Sequence, residues 1–205
     1  LGWRYTKWFY NQCDITHVPT LSIKEELEDH GVENIEHIPH GIETEHFSPD
    51  KKNQELREIF DNNYPILLFV GRLVKEKDLD DLVKVNRELK NRQVKFNMVF
   101  VGSGPMIKEL KRKLPQAHFT GHLNDENLFE WFATGDVFAY PSTTETFGLV
   151  VQEAFSSGVP VVGVDKGGVG SLIKDGETGF LFPVHDIETF ADNCELLLKN
   201  KELRQ

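Results

Sequence analysis

The chain has 205 residues, 39% hydrophobic and 27% charged, which suits one globular core of ordinary size and excludes a disordered or low-complexity polymer. Its longest apolar runs, such as 66–70 and 159–164, fall far short of the ~20 residues that cross a bilayer. The formal charge of -10 opposes broad binding to nucleic acid, whose phosphates require a basic face.

The opening residues lack an initiator Met and the basic-then-apolar order of a signal peptide, so they read as the interior of a longer protein. Cys13 and Cys194 have no C-x-x-C or metal-like spacing, which suits buried free thiols in a reducing, cytoplasmic setting. Apolar runs of strand length then alternate with amphipathic stretches of helix length. The expected class is therefore α/β, a Rossmann-like parallel sheet flanked by helices.

A short strand at 14–18 leads into a helix at 21–30, capped by Thr20 or Ser22 and stopped by Gly31. A second short strand at 35–39, a loop containing Pro49 and a helix near 54–61 follow. Ile66–Val70 is a continuous apolar run ended by Gly71, as expected of a central strand covered on both faces, and a helix at 79–91 succeeds it. The unit recurs as a strand at 96–101, the turn Gly102-Ser103-Gly104, and a helix at 105–114 with Pro105 in its first turn. Further strands are expected at 118–120, 137–140, 159–164 and 179–182, with helices at 124–134, 149–157 and 187–199. Counted from Ile35, this makes about six strands, a sheet of Rossmann size. The piece before residue 35 is too small to be a domain. Its aromatics Trp3, Trp8, Phe9 and Tyr10 suit either a lost neighbour or packing on the domain present.

The strongest chemical signal is the 141–154 segment between a strand and a helix, where seven residues separate Glu145 from Glu153. At ~3.6 residues per turn, a helix beginning near Gly148 puts Glu145 in the turn before it and Glu153 about one and a half turns inside. The helix start offers unpaired N–H groups over 148–151 and the positive end of its dipole, which suits a diphosphate. Ionised Glu153 can accept hydrogen bonds from two neighbouring sugar hydroxyls. Spacing alone equally allows Glu145 as a cap and Glu153 as a solvated helix residue.

Arg72 and Lys77 follow Gly71 at the carboxyl end of a strand, the edge where open α/β sheets bind ligands, and could clamp two phosphates. The same pair also fits a charged surface loop. The turn Val101-Gly102-Ser103-Gly104-Pro105 lacks the third glycine of G-x-G-x-x-G, since Ile107 stands there. The segment from Asp165 to Gly170 reads as a flexible turn, open to ligand approach or serving the fold alone. His37 and His40 lack a third ligand in register, so no metal site is expected.

Taken together, several features resemble the retaining group 1 glycosyltransferases of the two-domain GT-B fold. They are Glu145 and Glu153 with the 153–162 segment, Val70-Gly71-Arg72-Leu73-Val74 with Glu76-Lys77, Val101-Gly102-Ser103-Gly104-Pro105, and Asp175-Gly176-Glu177-Thr178-Gly179-Phe180-Leu181. Residues 11–20 look like the end of that family's N-terminal domain, and 38–49 like the start of its C-terminal one. The resemblance implies that 1–34 are a remnant of the N-terminal acceptor domain and 35–205 the C-terminal donor-binding domain. It implies that Glu153 binds the ribose, that Arg72 and Lys77, beside Gly71, hold the diphosphate, and that backbone near 121–123 meets the base. Glu145, with the Thr146, Phe147, Gly148 and Leu149 backbone, would face the transferred sugar and the phosphates and orient the donor.

Transfer from a UDP- or GDP-sugar with retention is implied, without a metal or other cofactor. The acceptor, a glycolipid, polysaccharide or small glycoside, would bind through the missing domain, so this fragment alone would be inactive. The full-length protein would be cytoplasmic or peripheral to the inner face of the membrane. Alternatives are a non-catalytic nucleotide-sugar-binding module and a nucleotide-sugar 2-epimerase. His40 and Glu43 depart from the family's usual Asn and Asp, and Gly170 stands where a Glu often follows the Gly-Gly pair.

Overall fold

The computed structural model describes residues 2–204, apart from the side chain of Ser22. A first helix, α1 (Gly2–Tyr10), precedes a small parallel sheet of β1 (Thr16–Val18) and β2 (Ile35–His37), joined by α2 (Leu21–Asp29). Thr20 caps α2, its side chain accepting from the Ile23 N–H. After α3 (Glu55–Glu58) come β3 (Ile66–Val70), α4 (Leu79–Asn91), β4 (Asn97–Val101), α5 (Ile107–Lys113), β5 (His118–Gly121) and α6 (Asp125–Thr134). The chain continues through β6 (Val137–Tyr140), α7 (Leu149–Ser156), β7 (Val161–Val164), α8 (Gly167–Leu172), β8 (Gly179–Phe182) and α9 (Ile187–Lys199).

The large sheet has six strands, all parallel, in the order β5-β4-β3-β6-β7-β8. Every residue of β3, β6 and β7 is buried, because helices cover both faces: α9 packs across β3, β6, β7 and β8, and α7 lies on β6 and β7. Burial of each Leu, Phe or Ile in β3 stabilises the fold by about 1.5–3 kcal/mol. Arg92, at the end of α4, ties that helix to α9 through hydrogen bonds to Asp192 and Glu195, with Glu88 as its third partner.

This strand order reverses direction between β3 and β6, the kind of switch point at which open α/β sheets bind ligands beyond the strands' carboxyl ends. The large sheet does hold six strands, but the Ile35 strand, from which the expected count began, is not among them. Ile35–His37 pairs with Thr16–Val18 instead of joining the large sheet. That pairing straddles the expected division at residues 34 and 35. The sequence reading missed α1 and α8, and it started α5 too early: Pro105 precedes the cap residue Met106 instead of occupying the first turn. Of the two cysteines expected to be buried, Cys194 is, whereas Cys13, just past α1, is exposed.

Candidate active site

Lys77 ends a single 3-10 turn after β3, and Glu145 lies in the loop after β6. Their side chains meet across the switch point, Lys77 Nζ donating to Glu145 Oε2 at 2.5 Å. Tyr140, the last residue of β6, completes the group. Its hydroxyl accepts from Lys77 Nζ at 3.1 Å and donates to Glu145 Oε2 at 2.7 Å. Burial works against the Glu145 charge, but the hydrogen bonds from Lys77 and Tyr140, with the Lys77 charge and the Gly148 N–H, outweigh it and hold this carboxyl below its ordinary range. Burial, then the hydrogen bond to Glu145, pushes the Tyr140 phenol far up, so it remains a donor at neutral pH.

Gly148, at φ 80°, turns the chain into α7, a left-handed conformation that glycine adopts without strain. The expectation of four free N–H groups over 148–151 is corrected. The Val151 N–H bonds to the Gly148 carbonyl and the Gly148 N–H faces Glu145. Leu149 and Val150 retain N–H groups with no backbone acceptor among the described residues, and these point the positive end of α7 outward.

Glu153 sits deeper in α7, beside a cleft of about 540 Å³ that Leu149, Ile42, Phe47, Phe129 and Asp125 also line. It makes no ion pair or side-chain hydrogen bond among the described residues, and burial pushes its carboxyl up to about 7. Arg72 leaves β3 exposed and likewise unpaired among the described residues. The structure thus brings Lys77 and Glu145 into contact, with Thr146, Phe147 and Gly148 continuing the same loop. Among the described residues, Glu153 and Arg72 make no hydrogen bond or ion pair with either of them. Thr146 is exposed, whereas Phe147 is buried and meets the His40 ring edge-on at 5.0 Å.

The glycines after β7 have a different task from the one expected. The 165–170 stretch is not a flexible turn, since most of it forms α8. A Cβ on Gly168 would lie 2.6 Å from the Thr146 carbonyl oxygen and 2.7 Å from the Phe147 nitrogen, and the Gly168 N–H donates to the Glu145 carbonyl at 2.9 Å. These glycines let backbone support the Glu145 loop from behind. Gly102 and Gly104 work similarly under the Arg72 loop, where an added Cβ would fall 2.0 Å from the Gly71 oxygen or 2.4 Å from the Leu73 oxygen.

Sequence reasoning missed Tyr140 and Asp78. Tyr140 was hidden as the end of an apolar strand, although a hydroxyl at a strand's carboxyl end beside the crevice is a usable signal. Asp78 accepts from both the Thr143 N–H and the Thr143 hydroxyl, at 2.9 and 2.7 Å, a pairing between distant segments that spacing does not reveal. Among the described residues no three His, Cys, Asp or Glu side chains gather closely enough to hold a metal ion, and no helix is long and apolar enough to cross a membrane.

The family described as glycosyl transferases group 1 matches residues 50–205, three quarters of the chain and all of the large sheet. The chain belongs to this family. It is 36% identical over 200 residues to a GDP-mannose-dependent alpha-mannosyltransferase of Corynebacterium glutamicum, covering 96% of this chain and 47% of that protein. It is 34% identical over 214 residues to the sulfoquinovosyl transferase SQD2 of Arabidopsis thaliana, covering 99% and 41%. The group 1 chain therefore spans about half the length of the curated relatives it matches. Its fold matches that of Anabaena HepE solved with UDP and glucose, with a TM-score of 0.85 at 20% identity over 98% of this chain and 58% of that one.

Proposed function

We propose that this chain is the donor-binding half of a retaining glycosyltransferase that takes a nucleoside diphosphate sugar and passes the sugar to an acceptor held largely by a second half. The meeting of Lys77, Tyr140 and Glu145 at the switch point carries this reading, because it sets a cation, a hydroxyl and an ionised carboxylate beside the start of α7. In our reading Arg72, Lys77 and the Leu149 and Val150 N–H groups stabilise the diphosphate as it departs, where negative charge grows. Glu153 accepts from the ribose hydroxyls and Glu145 orients the transferred sugar. The base rests against backbone near 121–123. The curated relatives' GDP-mannose and the UDP held by HepE support a UDP- or GDP-sugar as donor. The pairing of β1 with β2 supports assigning residues up to His37 to the acceptor-side half, three beyond the boundary expected from sequence.

Calorimetric titration of this chain with UDP, GDP and the matching nucleosides tests the proposal. Weak binding of one nucleoside diphosphate is expected, with Arg72→Ala weakening the diphosphate about tenfold and the nucleoside little, as loss of a charge-assisted contact requires. Equal losses for both ligands would remove Arg72 from the phosphate site. Sugar transfer by this chain without its other half would overturn the two-part account.

A further inference from the structure

Asp78 occupies the residue before α4, where an aspartate ordinarily has extended backbone and caps the helix with its side chain. Here it does neither. Its backbone is left-handed, at φ 51° and ψ 35°, and its side chain makes no capping bond to its own helix. Such a conformation is less favourable for aspartate than the extended one a cap would use, and the forgone cap adds to that cost. The carboxylate is instead spent across the crevice, where one oxygen accepts both the N–H and the hydroxyl of Thr143. Beside it, the Thr144 hydroxyl donates to the Glu76 carbonyl at 2.9 Å.

The loops after β3 and β6 are thus joined at three successive residues: Glu76 with Thr144, Lys77 with Glu145, and Asp78 with Thr143. Only the middle contact uses a cation that a phosphate would compete for. A ligand that drew Lys77 away from Glu145 would leave the two outer contacts to keep the loops in register.

We propose that Asp78 is a positioning residue that latches the Glu145 loop to the Lys77 loop independently of ligand, so that the diphosphate meets a crevice already set to width. This rests on the donor-site reading above. It adds that conformational stability is given up at residue 78 for the sake of ligand affinity.

The two parts separate in experiment. Asp78→Gly accepts the left-handed backbone without strain but removes the carboxylate, and Asp78→Asn keeps one acceptor oxygen and tolerates the same backbone. Hydrogen exchange of the ligand-free chain reads the latch, and calorimetry with UDP and GDP reads its effect. Expected are faster exchange at Thr143 in Asp78→Gly, nucleoside diphosphate affinity lowered about tenfold at unchanged or raised melting temperature, and substantial recovery in Asp78→Asn. A merely structural role would move the melting temperature together with the affinity. Wild-type affinity in Asp78→Gly, or unchanged exchange at Thr143, overturns the latch while leaving the donor site standing. A wild-type chain that binds neither diphosphate overturns both.

Discussion

A carboxyl group that burial holds near neutral pH, with no cation beside it, ties stability to pH in a fixed direction. Glu153 is such a group. Its value of about 7 in the folded chain lies above the ordinary 4.5, so the folded state holds its proton more tightly than the unfolded state does. The stability this gives is fully present below about pH 4.5 and is lost as pH rises through 7. After allowance for its partial contact with solvent, wild type should lose on the order of 1–2 kcal/mol relative to Glu153→Gln between pH 5 and pH 8. Denaturant unfolding over that range checks this, and parallel profiles for the two proteins would show that Glu153 does not hold the proton. Glu145, by contrast, has Lys77, Tyr140 and the Gly148 N–H to support its charge. Two carboxylates eight positions apart in sequence therefore stand in different states, one ionised and one poised to ionise.

At the scale of elements, the ligand loops are shaped by what stands behind them. Gly168, in the first turn of α8, touches the Thr146–Phe147 backbone so closely that even a methyl group has no room. Gly168→Ala should therefore displace the Glu145 loop, destabilising the chain by about 1–3 kcal/mol as overpacking does and weakening UDP or GDP binding together with it. Thermal melts and calorimetry on the same preparation test this, and wild-type values in both would mean that the α8 backbone yields freely. This support was not legible in sequence. A helix rich in glycine has poor intrinsic propensity, and the contact that stabilises it comes from a loop some twenty residues earlier. By contrast β3, β6, β8, α4 and α9 were legible to the residue, because continuous apolar runs and helical periodicity with clear stop signals record burial directly. Ile35–His37 was legible as a strand but not as a partner of Thr16–Val18, since a three-residue run carries no information about its neighbour. Arg72 and Lys77 stood out by residue type just beyond a strand's carboxyl end, whereas spacing alone left Glu145 and Glu153 open as a cap and a solvated helix residue, and only the family resemblance gave them roles. Lys77 and Glu145 proved to be mutual partners, and Tyr140 and Asp78 emerged only from three-dimensional contacts.

Over the whole molecule, exposed apolar surface is unevenly spread. Among the described residues, eight of the fourteen exposed large hydrophobics lie in the first 38 residues, Trp3, Tyr5, Trp8, Phe9 and Tyr10 among them, whereas the other six are scattered over the rest of the chain. Trp3 stacks on His30 at 3.6 Å, which anchors one side of α1 and leaves Tyr5, Trp8 and Phe9 grouped on the other. A patch of this kind fits burial against the remainder of the acceptor-side half proposed above. Acrylamide quenching of Trp8, isolated by comparison with Trp8→Phe, should be strong in this chain and severalfold weaker in a full-length protein. Equal quenching in both would mean that the aromatic face belongs to the surface.

The turns after β3, β4 and β5 lie against one another with almost no side chain between them: the Gly71 N–H donates to the Val101 carbonyl, the Leu73 N–H to Ser103, and the Gly102 N–H to Gly121. Three consecutive βα connections are in this way laminated backbone to backbone, and one cannot be lengthened or reshaped without lifting the next. In the donor-site reading, variation in what this scaffold accepts is thereby channelled into the side chains along its rim, such as those at positions 72, 77 and 122–125, while the floor beneath them keeps its contour.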